Sequence, residues 1–381
     1  MNARTPRHRG TCAALAFAVA AATGAQELHL FPPASLANVP AAATADAPAP
    51  PLDSLGELEP WDRAGDGLTL GAGSLGGGPE SPAGTISKPD RRCVLFQCAD
   101  LPIQPAQKLF NTGSTLWTAA GVFVGIIDGM EGPITYGVHG FRFTDEGFFQ
   151  YSTYGGGSDK ASHCVISANT SGLLYDAYRL NGLTEDQSFA LSFATTVVAG
   201  VLVEVGDGLT PYGFSAQDLT ADTVGALAGA LVKRGHLDDL IGFQFGKIPT
   251  TIPPAIIGDR PLFGIDYSHE IYSVDMKLGG LAPRLSATPG PERFFQLSFI
   301  FLTKGFGYEP PLESRYQEVG LELGLNFPEI LRAAGVNNST WWGDTLLRMF
   351  QFFRIPFTQI GTYYNFKSQK WYGPGAAYHY Y

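Results

Sequence analysis

Eight side chains in the middle of the chain have types and spacings that could do chemistry. Asp159 and His163 stand one helical turn apart with Lys160 beside them, Glu204 and Asp207 are three apart, and Ser215, Asp218 and Asp222 follow at offsets of three and four. Such spacings place side chains on one helix face. Three helices packed side by side would therefore gather carboxylates, an imidazole and an ammonium. His163 could then act as a general base, or the oxygens could hold a divalent cation or a proton. A zinc site would more naturally use His or Cys ligands, so no metal set is assigned and the cofactor stays open. Structural explanations compete. Asp159 in a first turn suits the helix dipole, Asp218 sits at a capping position, and His163 could be a hydrogen-bonded core residue. Glu204 and Asp207 precede Gly208 near a helix end, where the dipole does not favour carboxylates, so they are the stronger functional candidates. A packing ion pair with Lys160 is their structural alternative.

The elements that must position these groups are legible from punctuation. Ser158 is expected to cap a helix that stops at Asn181-Gly182; Thr184 and Gln187 form a capping box for a second ending near Glu204; Ser215 and Asp218 start a third ending before Gly235. A small-residue apolar stretch from Thr112 to Met130 reads as a further helix. Ala221, Gly225 and Gly229 recur every four residues, a face that lets another helix approach closely. From about Tyr267 the texture changes. Ile271–Leu278, Phe294–Leu302, Glu318–Leu325 and Phe357–Phe366 read as four strands with one apolar face. Trp341 to Phe353 has apolar residues at helical spacing and suits either a core-facing helix or one lying in a membrane interface. The fold class is α+β: a central bundle of about four helices, then an antiparallel strand-rich region with an amphipathic helix.

Composition limits what the protein can be. Charged residues are 16% of the 381 and hydrophobic ones 45%, against about 25% charged in ordinary soluble domains. That leaves much surface to bury or to face lipid. Net charge is −10, and no dense basic run follows the N-terminus, which excludes nucleic-acid binding. Residues 1–25 read as a secretory signal: Arg4, Arg7 and Arg9, then an apolar run from Cys12 to Ala22, then Thr23-Gly24-Ala25. Cys12 stands at the start of the apolar run rather than after it, so export without lipidation is expected. Residues 26–92, rich in Ala, Pro and Gly, read as a disordered spacer. In an oxidising compartment Cys93 and Cys98, five apart, are expected to form a disulfide, with Cys164 left as a buried small side chain.

The set Asp159-Lys160-x-x-His163, Glu204-x-x-Asp207 and Phe214-Ser215-x-x-Asp218-Leu219-x-Ala221-Asp222-x-x-Gly225-Ala226 resembles the YfiM-like family of uncharacterised bacterial envelope proteins. It is more distantly similar to VanZ-like membrane proteins, with Asp207 standing where those have Gln and Asp222 where they have Asn. The resemblance covers roughly residues 106–235. It implies a place in the cell envelope, on the periplasmic side of the outer membrane, and supplies no reaction.

The expected organisation is a helical domain over 93–245 and a strand-rich aromatic region over 246–381. The leading functional expectation is an accessory or structural envelope protein, partnered by a membrane surface or an envelope protein. The alternatives are an enzyme on a lipid-linked or cell-wall substrate, using the His and carboxylate cluster, and a barrel-like outer-membrane protein.

Overall fold

The structure is a computed structural model that describes residues 90–153, 155–247, 267, 270–285, 290–306 and 315–375, all within one compact unit. The expected signal and all but the last residues of the expected spacer lie outside the described residues. The described chain opens with a hairpin of β1 (Arg91–Val94) and β2 (Gln97–Asp100). Cys93 and Cys98 face each other in register and are joined by the expected disulfide.

Four long helices follow: α1 (Thr112–Tyr136), α2 (Ser158–Leu180), α3 (Glu185–Gly208) and α4 (Ala216–Arg234). Two short strands, β3 (Phe143–Thr144) and β4 (Phe214–Ser215), pair in parallel beside them. Both halves of the Thr184–Gln187 capping box are present, and Ser215 Oγ accepts the Asp218 N–H at 3.2 Å. α2 starts differently from expectation. Its N-cap is Gly157, at φ 91°, with no side-chain cap bond. Ser158 Oγ instead bonds Thr303 Oγ1 at 2.8 Å, tying the helix start to the sheet. α3 also runs one turn beyond Glu204, to Gly208.

Small residues set the helix spacing. A Cβ at Gly225 or Gly229 of α4 would fall on the backbone carbonyls of Cys164 and Ala168 of α2. Gly125 and Gly129 of α1 meet the backbone of Ala199 and Leu202 of α3 in the same way. The expected small-residue face is thus the seam between α2 and α4. Trp117, Leu174, Tyr178 and Leu183 fill one end of the bundle against Val94 of the hairpin.

The rest is a six-stranded antiparallel sheet in the order β10-β9-β8-β7-β6-β5. Its strands are β5 (Ile241–Lys247), β6 (Glu270–Lys277), β7 (Phe295–Lys304), β8 (Tyr316–Leu325), β9 (Gln359–Asn365) and β10 (Lys370–Gly375). Four match the expected strands; β5 and β10 are additional. Between them lie α5 (Leu278–Arg284), α6 (Phe327–Ala333) and α7 (Trp341–Phe352). α7 divides its faces. Leu347 and Asp344 are buried, with Asp344 accepting from Leu95 N–H at 2.6 Å, while Trp341 and Trp342 are exposed.

The sheet's polarity is the reverse of that in a soluble sheet, where the apolar side is the one that packs inside. One register row reads Ile241, Met276, Leu297, Leu323, Ile360, and the next apolar row Phe243, Val274, Phe299, Leu321. On this face Phe299 is 53% and Leu321 58% exposed. The opposite face carries Asp275, Ser298, Glu318 and Glu322, each 1% exposed or less. Arg354 donates its N–H to Phe245 O at 2.8 Å and pairs with Glu322 through its guanidinium. Tyr363 donates to the same carboxylate at 2.8 Å, and Asn365 donates to Glu318 at 2.9 Å. Ile271, Ile300, Leu302 and Tyr363 supply the apolar part of this inner layer.

Lys277 closes the β6 end by donating to Asp238 O at 2.6 Å. Burial brings its amine down to about 8, against the opposing pull of Asp238. A folded-state value below the unfolded one adds stability above the unfolded value and loses it as pH falls through the folded one. The stability of the wild type relative to Lys277→Met should therefore rise between pH 8 and about 10.5, as read by denaturant unfolding. A gap that is flat across that window would place the amine in water.

Candidate functional site

Three helices carry the cluster, and the small-residue seam brings α2 and α4 close enough for it to form. Lys160 lies at its centre: Nζ is 2.7 Å from Asp159 Oδ2 and 2.6 Å from Asp218 Oδ1, and it also pairs with Glu146 from the loop before α2. One turn on, His163 Nδ1 is 3.1 Å from Asp222 Oδ2. Its Nε2 stands 3.9 Å from both Asp159 Oδ1 and Asp218 Oδ1. Glu204 enters from the last turns of α3 and is 1% exposed. The Ser215 N–H donates to its Oε2 at 2.8 Å, while its buried Oε1 has no hydrogen-bond partner among the described residues. Ser167 Oγ donates to Asp222 Oδ1 at 2.7 Å, and the Tyr267 hydroxyl donates to Asp159 Oδ1 at 2.7 Å.

Seven of the eight sequence candidates thus meet in one place. Ser215 belongs to the group both as helix cap and, through its N–H, as a donor to Glu204. Asp207 is set apart: its carboxylate lies beside Gly132 of α1, within electrostatic reach of His163 but outside the touching group.

The electrostatics follow from burial and an excess of acid. Burial opposes the charge on Lys160, but Asp159, Asp218 and Glu146 outweigh it and hold the ammonium well above its ordinary value. Burial likewise opposes ionisation of Asp159, yet Lys160 and His163 keep it below the usual carboxylate range. His163 is raised well above an ordinary imidazole, with Asp222 and Asp218 overcoming its burial. Glu204, Glu146, Asp207 and Asp218 are pushed up. Burial, with Asp218 adding to it, takes Glu204 to about 9 and Glu146 to about 8. Asp207 is raised well above its ordinary value by burial, against the pull of His163. One ammonium and one imidazole cannot offset so many carboxylates, so the group invites protons or a cation.

Sequence reading misses Glu146, Tyr267, Ser167 and Asp128. Glu146 and Tyr267 lie outside the helices, where no periodicity marks them. Ser167 stands four residues from His163 and is readable by the same rule that pairs Asp159 with His163. Asp128 interrupts the apolar run of α1; burial, with Glu131 adding to it, lifts its carboxyl to about 7.

Fold and site together define an α+β protein in which a helical bundle encloses a histidine and carboxylate cluster beside an antiparallel sheet. A family model described as "Predicted periplasmic lipoprotein (DUF2279)" matches residues 145–234, the stretch from just before α2 to the end of α4. Over that stretch the chain is similar to a family of predicted periplasmic lipoproteins, which supports the exported, periplasmic reading and does not bear out the expectation of export without lipidation. No curated protein and no solved structure matches the chain.

Proposed function

We propose that the protein is an envelope protein held on a membrane by its own folded surface, with an accessory or structural role on the periplasmic side. The observation that carries this reading is the sheet turned inside out, with charge and amide groups within and an apolar face outside. Exposed apolar patches on monomeric soluble proteins seldom exceed a few hundred Å². Here Val274, Leu297, Phe299, Leu321, Leu323 and Ile360 form one continuous exposed surface over four strands. α1 adds a second, through Leu116, Phe123, Ile126, Ile127, Met130 and Ile134.

The depth suits one leaflet. From Phe295 to Phe299 the exposed run is about 14 Å at ~3.4 Å per residue, half of a hydrocarbon core of ~30 Å. Beyond it Phe149 covers Phe301, and Ser158 covers Thr303. The strands would dip into lipid rather than cross it, and α1 would lie along the interface. The resemblance to YfiM-like envelope proteins supports the outer membrane as the site. The barrel-like alternative is weaker, because the sheet has six strands among the described residues, short of the eight of the smallest outer-membrane barrels. The enzyme reading is also weaker: His163 and Glu204 are 8% and 1% exposed, which suits a small ion better than a cell-wall substrate.

The full exported chain should sediment with membranes, resist extraction by carbonate at high pH, and dissolve in detergent. The triple variant Leu297→Asp, Phe299→Asp, Leu321→Asp should move most of the folded protein to the soluble fraction. If that variant stays on the membrane as firmly as the wild type, the sheet is not the anchor and the reading fails.

A further inference from the structure

The cluster contains two groups of potential ligands that share His163, and they are not equivalent. In the first, Asp159 and Asp218 flank His163 Nε2, but the Lys160 ammonium already sits on both carboxylates. A metal ion there would have to displace a buried cation.

The second group is His163, Glu204 and Asp222, one residue from each of α2, α3 and α4, with ligand atoms all within 4.8 Å of one another. Neither of its carboxylates, Glu204 and Asp222, has a Lys or Arg in an ion pair among the described residues. Each carboxylate has one oxygen tied down by an outer donor: the Ser215 N–H holds Glu204 Oε2, and the Ser167 hydroxyl holds Asp222 Oδ1. That leaves Asp222 Oδ2 on the imidazole, 3.1 Å from Nδ1, and Glu204 Oε1 buried without a hydrogen-bond partner among the described residues. An oxygen stripped of water and given nothing in return costs free energy unless something fills the place. The far ring nitrogen, Nε2, faces the carboxylates of Asp159 and Asp218. Carboxylate behind histidine, with each ligating acid steadied from outside, is how protein metal sites orient their ligands.

We propose that His163 Nδ1, Glu204 and Asp222 bind one divalent transition-metal ion of the zinc or manganese kind. The 3.1 Å between Nδ1 and Asp222 Oδ2 is close to the edge of about 3.3 Å that two ligands span in a tetrahedral site with bonds of ~2.0–2.1 Å. One nitrogen and two carboxylate oxygens suit zinc or manganese better than calcium, which takes six to eight oxygens. The metal takes the place of the proton between His163 and Asp222 and of the proton that the buried Glu204 carboxyl holds, and both leave to solvent. This inference stands apart from lipid attachment, since the site lies inside the bundle.

The test uses the full exported chain in detergent, stripped with chelator and titrated with Zn(II) and with Mn(II) by calorimetry. One ion per chain is expected, with zinc-edge X-ray absorption showing imidazole nitrogen in the first shell. Glu204→Gln and Asp222→Asn, checked for folding by circular dichroism, should each weaken binding at least ten-fold. If either fails to fold, Ser167→Ala serves in its place and should weaken binding about ten-fold by freeing Asp222. No stoichiometric binding, or binding that these variants leave unchanged, overturns the site; the second outcome would mean an adventitious ion only.

Discussion

Lys160→Met should destabilise the fold by about 3–5 kcal/mol at pH 7, the range found when one partner of a buried charge pair is removed. The side chain is 5% exposed and pairs with Asp159, Asp218 and Glu146. Methionine keeps the length and the apolar stem but leaves the buried carboxyl groups of Asp159, Asp218 and Glu146 without their cation. The loss should depend on pH, and its sign follows from Asp159. Lys160 helps hold that carboxyl below its ordinary value, so the wild type gains stability above the unfolded carboxylate range and loses it as pH falls through the folded value. The gap between wild type and variant should therefore be widest near neutral pH and close on acidification, as the stranded carboxylates take up protons. Denaturant melts at pH 7 and pH 2 measure it, because pH 4 still lies above the folded value of Asp159. A gap of the same size at both would mean that Lys160 acts by packing alone.

The helices and their charged faces are legible because helical spacing and capping are local. Asp159 and His163 share a face in any helix, and Thr184 with Gln187 caps one in any context. What α2 lacks is the cap that its sequence suggests. Ser158 is drawn away by Thr303, 145 residues distant, and nothing local foretells that. The sheet shows a different limit. Alternation in Gln296–Ile300 or Glu318–Leu323 marks a strand, but the pattern is the same whichever face turns inward. The direction is set by Arg354, which reaches from beside β5 to Glu322 on β8 and needs that face closed to water. β10 is masked for another reason: Gly373 and Pro374 break the pattern of a strand that sits at the sheet edge, where proline is tolerated. β5 alternates Ile241, Phe243 and Phe245 with Gly242, Gln244 and Gly246, and that pattern was available to sequence reading.

The seam between α2 and α4 makes the second large prediction, because it fixes the distance on which the cluster depends. Gly225→Ala with Gly229→Ala should raise intrinsic helix propensity by about 1 kcal/mol per site and still lower stability. Each new methyl would fall on a backbone carbonyl, of Cys164 and of Ala168, and backbone cannot step aside as a side-chain tip can. Overpacking costs about 1–3 kcal/mol per site, sometimes more. The net effect should be a loss, with α4 pushed away from α2. His163 immediately precedes Cys164 on α2 and Asp222 stands three residues before Gly225 on α4, so their 3.1 Å contact should open as well. Gly172→Ala is the control. It lies on α2, and its Cβ would approach nothing closer than the Lys233 side chain at 3.7 Å. That variant should gain up to about 1 kcal/mol and leave the His163 imidazole resonances where they are, whereas the double variant should shift them and melt earlier. If the double variant melts with the wild type and its imidazole resonances do not move, the helices are not in backbone contact, and the cluster must owe its geometry to its own ion pairs.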